Sequence, residues 1–158
     1  MAARKKKAAK KTVRKVAKKK AAKRKRPRHK PETLRLRSVH PGFTVNDIHR
    51  SVKWYTEVLG FVLKEPWMMD GKMTGAEVRA GTTSLYLGQD DFKKGRDRVK
   101  GVGVRLYCNT AQDLDQLARD IKARGGTLDH DPQTQPWGTR DFGITDPDGY
   151  KITIASTR

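Results

Sequence analysis

His40, Thr44, Tyr86, Arg105, Tyr107 and Thr153 fall at alternating positions of four apolar runs, so strand geometry turns them away from the residues that suit a core. In the first run Val39, Phe43 and Val45 point inward, leaving His40, Gly42 and Thr44 on the other face. In SLYL, Leu85 and Leu87 go inward and Tyr86 outward. In GVGVRLYC the inward set is Val102, Val104, Leu106 and Cys108, which leaves Gly103, Arg105 and Tyr107. In YKITIA, Ile152 and Ile154 are core and Lys151, Thr153 and Ala155 face out. With Trp67 and Trp137 from nearby segments, these residues make aromatic walls with a few polar groups, as a small-molecule pocket needs. Arg105 and Lys151 favour an anionic ligand. No nucleophilic machinery stands out: there is no Ser–His–Asp set, and Cys108 falls on the core side. GVGV opens a strand, whereas a dinucleotide fingerprint opens a helix. No catalytic residue is assigned and no cofactor is implied.

The elements that must position these residues come in two copies. LRLRSVHPGFTV is an extended apolar run, followed by NDIHRSVKWYTEVLGF, in which Asn46 or Asp47 caps a helix with Ile48, Val52, Tyr55, Val58 and Leu59 on one face and Gly60 at its end. FVLKEPW, TGAEVRA and TSLYLGQ are strand candidates, the last two joined by a turn at Gly81. The second copy runs GVGVRLYCN, then the helix AQDLDQLARDIKARGG, then strands TLDHDP, TRDFGIT and YKITIAS, with a DPDG turn at Asp146–Gly149. Both halves read β-α-β-β-β, the mark of a duplicated unit. The expected fold class is α+β, two βαβββ modules over residues 33–158, preceded by a disordered basic tail over residues 1–32.

The words DIHRSVKWYTEVLGF, ARGG and PWGTRDFGITDPDGYKITI, spread over about residues 37–156, resemble the vicinal oxygen chelate superfamily of glyoxalase, bleomycin-resistance and dioxygenase proteins. The resemblance implies that the two modules form a cupped mixed sheet, often completed by a second chain, hence a homodimer. Metal-dependent members place a His or Glu at one cup-facing position in each of four strands, and the matching positions here are His40, Tyr86, Gly103 and Thr153. Only His40 is a good ligand, and divalent sites usually need three or more protein donors. The expectation is therefore no bound metal and a closer kinship with the non-metal binders of the family. The competing expectation is a metal-dependent lyase or dioxygenase using His40 with Glu77 or His130.

Charge divides the chain sharply. The full sequence carries 36 Lys and Arg against 17 Asp and Glu. Seventeen of the basic residues lie in the first 31 positions, where there is no acidic residue: Arg4, Lys5, Lys6, Lys7, Lys10, Lys11, Arg14, Lys15, Lys18, Lys19, Lys20, Lys23, Arg24, Lys25, Arg26, Arg28 and Lys30. The remaining 127 residues are nearly neutral. The arm's apolar content is mostly Ala, too little to offset the entropy of folding, and its composition resembles linker-histone tails. Each Lys or Arg on a phosphate releases condensed counterions, so seven to ten contacts would give a log–log salt slope of roughly −6 to −9 on duplex DNA. The arm holds no aromatic residue to stack on bases, and the expectation is nucleic-acid binding, DNA first, without sequence preference.

Cys108 is the one cysteine, compatible with a reducing, cytoplasmic compartment, or a nucleoid-associated one in a bacterium. No apolar run approaches the ~20 residues of a membrane span, and the N-terminus lacks the apolar stretch of a secretory signal. Three functions fit: a metal-free small-molecule binder tethered to nucleic acid by its arm; a metal-dependent enzyme of the same superfamily; and an architectural DNA-binding protein in which the folded part serves to dimerise.

Overall fold

The computed structural model describes Leu34 and residues 36–156. The seventeen basic positions named above lie outside the described residues. The described chain is α+β. Strand β1 (Gly42–Val45) leads into helix α1 (Ile48–Lys53), and β2 (Val62–Met69), β3 (Lys72–Ala80) and β4 (Thr83–Gln89) follow. The second half repeats the order with β5 (Arg105–Thr110), α2 (Leu114–Ala123), β6 (Leu128–Thr134), β7 (Arg140–Thr145) and β8 (Lys151–Ser156). Each half is one four-stranded mixed sheet, ordered β1-β4-β3-β2 and β5-β8-β7-β6, with β1/β4 and β5/β8 parallel and the other pairings antiparallel. Two βαβββ modules are thus present as two separate sheets.

Local chemistry accounts for these elements. The Asp47 carboxylate accepts the Arg50 amide at 3.0 Å, and Asp113 accepts that of Gln116 at 3.0 Å, so each helix has an acidic N-cap. Gly60 and Gly125 follow the helices at φ +84° and +87°, where a β-carbon would be strained. The first helix is longer than α1 alone, because residues Trp54–Val58 continue it as a wider π-helical turn closed by the Leu59 amide on the Trp54 carbonyl. Thr56 returns its hydroxyl to the Val52 and Lys53 carbonyls within this turn.

One hydrophobic core serves both modules, running from Phe43, Val45, Tyr55, Leu85 and Leu87 to Leu114, Ile121, Phe142, Ile144 and Ile152. The modules meet through their helix sides. The Tyr55 hydroxyl donates to Asp146 at 3.0 Å, the Ser51 hydroxyl to Asp148 at 3.1 Å, and the Arg124 Nε to the Val58 carbonyl at 2.9 Å. Phe43 and Tyr150 stack with centroids 4.0 Å apart. Burial pushes both the Tyr55 phenol and the Asp146 carboxyl up from their ordinary values.

The segment between the modules is fastened at Asp90. Its carboxylate takes hydrogen bonds from Arg98 at 2.7 Å, Lys100 at 2.9 Å and the Phe92 amide at 2.9 Å, which hold it well below the usual carboxylate range. Lys100 also donates to Asn46, whose neighbour Asp47 caps α1.

Three residues assigned to the core by alternation are exposed: Val39, Val102 and Val104, at 75%, 76% and 45%. The cause at GVGV is a turn. Gly101 and Gly103 adopt φ +72° and +73°, and a β-carbon on Gly101 would lie 2.1 Å from the Gly149 carbonyl oxygen. The strand therefore starts at Arg105, and Gly103 does not face out from a strand at all. Val39 precedes β1, which starts at Gly42.

Candidate functional site

With their helix sides in the shared core, the two sheets turn their opposite faces outward. On the N-terminal sheet, Phe43, Val45, Leu85 and Leu87 are buried while Tyr86 stands on the other face. His40 lies just before the strand and stacks on Tyr86, centroids 5.2 Å apart and planes 17° apart, with its Nε2 2.8 Å from the Ser38 hydroxyl. Trp67 meets the same Tyr86 edge-on at 5.3 Å. Trp67 is held there by an absence: a β-carbon on Gly75 would come within 2.5 Å of its ring. Gly42 sits opposite Tyr86 and Thr44 opposite Gly88 on the neighbouring strands, so the floor beside the rings is nearly free of side chains. Beneath this aromatic group lies Glu77, 6% exposed, receiving Lys64 through both carboxylate oxygens at 2.9 and 3.0 Å. Lys64 first, then the Ser84 hydroxyl, hold the Glu77 carboxyl below its ordinary value.

The C-terminal sheet has a different outward face. Arg105 donates from Nη1 to the buried Thr153 hydroxyl at 2.9 Å. Lys151 is exposed directly across from Arg105, and Tyr107, 73% exposed, lies across from Thr153. His130 lies over Gly143, where a β-carbon would come 3.0 Å from its Nε2. Trp137, in the connection between β6 and β7, is 71% exposed.

Alternation thus brings His40, Tyr86 and Trp67 together on one sheet and Arg105, Tyr107 and Thr153 together on the other, with Thr44 beside the first group. Among the described residues no hydrogen bond, ion pair or ring contact joins the two groups. A cleft of about 740 Å³ touches only Tyr107 of these residues; Leu85, Leu106, Cys108, Leu117, Ile152 and Ile154 also line it. Burial pushes the Cys108 thiol up there, which leaves it a poor nucleophile. The Lys64–Glu77 pair went unread in the sequence as an outward-facing ion pair, although TGAEVRA already sets Glu77 opposite in phase to Ala76 and Val78.

The duplication now identifies matching positions directly. Gly42 pairs with Tyr86 in the first module, and Tyr107 pairs with Thr153 in the second. His40 stands two residues before Gly42, as Arg105 stands two before Tyr107. Arg105, rather than Gly103, is therefore the counterpart of His40. The four positions that hold metal in metal-dependent relatives carry an imidazole, a phenol, a guanidinium and a hydroxyl. A permanently charged guanidinium repels a divalent cation, and one imidazole is too small a donor set. Among the described residues no three His, Cys, Asp or Glu side chains gather into a ligand group. Glu77 shares a face with His40 but is taken by Lys64, and His130 belongs to the other sheet. These residues do not fit a divalent ion.

Residues 37–154 match the family model described as the Glyoxalase/Bleomycin resistance protein/Dioxygenase superfamily. A lactoylglutathione lyase and a chloroplastic protein named a probable lactoylglutathione lyase, both of Arabidopsis thaliana, are 27% and 29% identical over 78% and 75% of this chain, which spans only 45% and 35% of their own lengths. A solved superfamily member from Sphaerobacter thermophilus is 26% identical with a TM-score of 0.61, the match covering 78% of this chain and 99% of that one. Sheet order, internal duplication and family match agree, and the chain belongs to the glyoxalase/bleomycin resistance/dioxygenase superfamily.

Proposed function

We propose that this chain is a metal-free binder of a small aromatic or anionic molecule, held on nucleic acid by its basic arm. The observation that carries the reading is the His40–Tyr86–Trp67 group: His40 and Trp67 each pack on the Tyr86 ring beside a floor of glycines, with no adjacent donor set to hold an ion. A flat ligand gains stacking and apolar burial there, and Glu77, neutralised by Lys64, adds little net charge to the wall.

A cup needs a second wall, and both outward faces are bare in the single chain. All of β2 is exposed, including Val62 at 62%, Met68 at 58% and Met69 at 65%, and Tyr107 on the other sheet is open as well. A homodimer in which the N-terminal sheet of one copy faces the C-terminal sheet of its partner would cover both. The arm's part rests on its segregated charge, which polyphosphate binds through counterion release.

Elemental analysis of protein purified without chelators tests the metal-free reading against the lyase activity named in the relatives. The expected result is far less than one divalent ion per chain; one stoichiometric zinc, nickel or iron overturns it. Removing residues 1–31 tests the arm: duplex binding should vanish at moderate salt. Undiminished binding would make the folded part the nucleic-acid binder and refute the tether.

A further inference from the structure

Arg105 and Lys151 are direct partners on the parallel strands β5 and β8, and both project from the outward face. Like charges directly opposite on neighbouring strands repel one another. Among the described residues neither is paired with a carboxylate. The contrast with Lys64 is informative: that cation, also on an outward face, has Glu77 at 2.9 Å. Arg105 is moreover held in place, since its Nη1 donates to Thr153, a hydroxyl only 4% exposed and fixed in the middle of the sheet. The guanidinium keeps further donors for a partner that the described residues do not supply.

We propose that Arg105, with Lys151 beside it, is an oxyanion receptor, and that the small molecule bound by this protein carries a carboxylate or phosphate as well as a flat ring. The inference rests on the aromatic site and the homodimer proposed above, in which the aromatic face of one copy lies opposite this face of its partner, and it adds the ligand's charge. Two cations across one strand pair match two oxygens of a carboxylate or phosphate, and Thr153 sets the direction of the fork. The anion thus relieves a repulsion that the empty sheet bears. The fixed positive charge stands at the position where metal-dependent relatives place a ligand to their ion, so attraction for an oxyanion persists without metal.

Titration of the full-length protein with 1-naphthoate and with uncharged 1-naphthalenemethanol, followed by tryptophan fluorescence, tests this. The arm is common to every variant, so differences between variants report the sheet. Wild type is expected to prefer naphthoate, and R105M to lose about ten- to hundredfold in naphthoate affinity, the range for a charge-assisted hydrogen bond, while holding naphthalenemethanol unchanged. K151M should show a smaller loss of the same kind and should melt no lower than wild type, because a repulsion has gone and no hydrogen bond has gone with it. Naphthoate binding that is indifferent to both substitutions overturns the receptor, as does equal loss of both probes. If neither probe binds wild type, the aromatic site itself fails. If naphthalenemethanol binds and charge confers no preference, only the anion receptor fails. A parallel loss of duplex affinity in R105M would assign these cations to nucleic acid instead, and overturns the small-molecule receptor.

Discussion

The two outward faces are built on one plan and carry opposite chemistry. In each module a parallel pair of strands sets a residue of the first strand diagonally against a central residue of its neighbour: His40 stands two places before the partner of Tyr86, and Arg105 two places before the partner of Thr153. The N-terminal face fills that geometry with rings and neutralises its one buried carboxylate internally. The C-terminal face fills it with a guanidinium and leaves two cations unmatched. Duplication therefore preserves where side chains stand, while substitution decides what they do. The helix sides, by contrast, have merged into one core, and that difference between merged backs and divergent fronts can be attacked experimentally.

The largest effect should come from the merged side. Phe142, fully buried on β7, belongs to the same cluster as Tyr55 and Ile48 of the first module. Phe142→Ala should cost about 3–5 kcal/mol, the range for deleting a buried ring. In urea the tryptophan signal and the far-ultraviolet circular dichroism should fall together at a lower midpoint. Separate transitions for the two signals would mean that the modules fold independently and that the shared core is not cooperative.

A smaller effect should separate the fronts. Gly75 and Gly143 each lie under an aromatic side chain on an outward face. A β-carbon at Gly75 would meet Trp67 at 2.5 Å and the Leu87 carbonyl oxygen at 2.9 Å, and backbone cannot step aside. At Gly143 the nearest atoms are the His130 ring at 3.0 and 3.1 Å and the Asp129 β-carbon at 3.3 Å, side chains that can shift. Gly75→Ala should therefore destabilise by about 1–3 kcal/mol and change the tryptophan emission, whereas Gly143→Ala should stay below about 1 kcal/mol. Equal losses on thermal unfolding would show that the two floors are equally tight and remove the distinction.

Much of this was readable from residues alone. Period-two alternation placed Tyr86, Arg105, Tyr107 and Thr153 outward because the inward positions are uniformly apolar and the strands straight. GVGVRLYC misled for the same reason: its alternation is as good as any strand's, but Gly101 sits where the chain crosses the Gly149 backbone, a long-range contact that no local pattern encodes. The error carried over to Gly103, and only the register of β5 on β8 moved that third position to Arg105. The separation of the site into two groups was equally hidden, since alternation tells which face a residue takes and not which way the sheet as a whole is turned. The fastening of Asp90 by Arg98 and Lys100 depends on a fold-back of the connecting segment and has no periodic signature.

Two aspartates at the junction of the modules should respond to pH with opposite sign. Asp90 is held below its unfolded value of about 4 by Arg98 and Lys100, so its contribution is fully present above that value and is lost as pH falls toward the folded one. Asp146 is pushed up by burial, so the unfolded chain ionises first, and stability is lost as pH rises from the unfolded value through the folded one. Between pH 3 and 6 the stability of wild type relative to Asp90→Asn should rise, and relative to Asp146→Asn should fall. Urea midpoints at a series of pH values read both slopes, and slopes of the same sign would refute the assignment.

The smallest effect is chemical rather than thermodynamic, and it contrasts two neighbours on one strand. Tyr107 and Cys108 are adjacent on β5, yet Tyr107 lies open on the outward face while Cys108 turns toward the helix side, where burial raises its thiol. A raised thiol holds less thiolate at pH 8, and access is restricted as well, so iodoacetamide should alkylate Cys108 roughly tenfold more slowly than free cysteine. The rate should return to the free value in guanidinium, and the R105M substitution should leave it untouched, because Arg105 acts on the opposite face. Alkylation at the free rate in the native protein would place the thiol on the outward face. It would then shift β5 by one residue, exchanging the roles of Arg105 and Leu106 and removing the guanidinium from the position that matches His40.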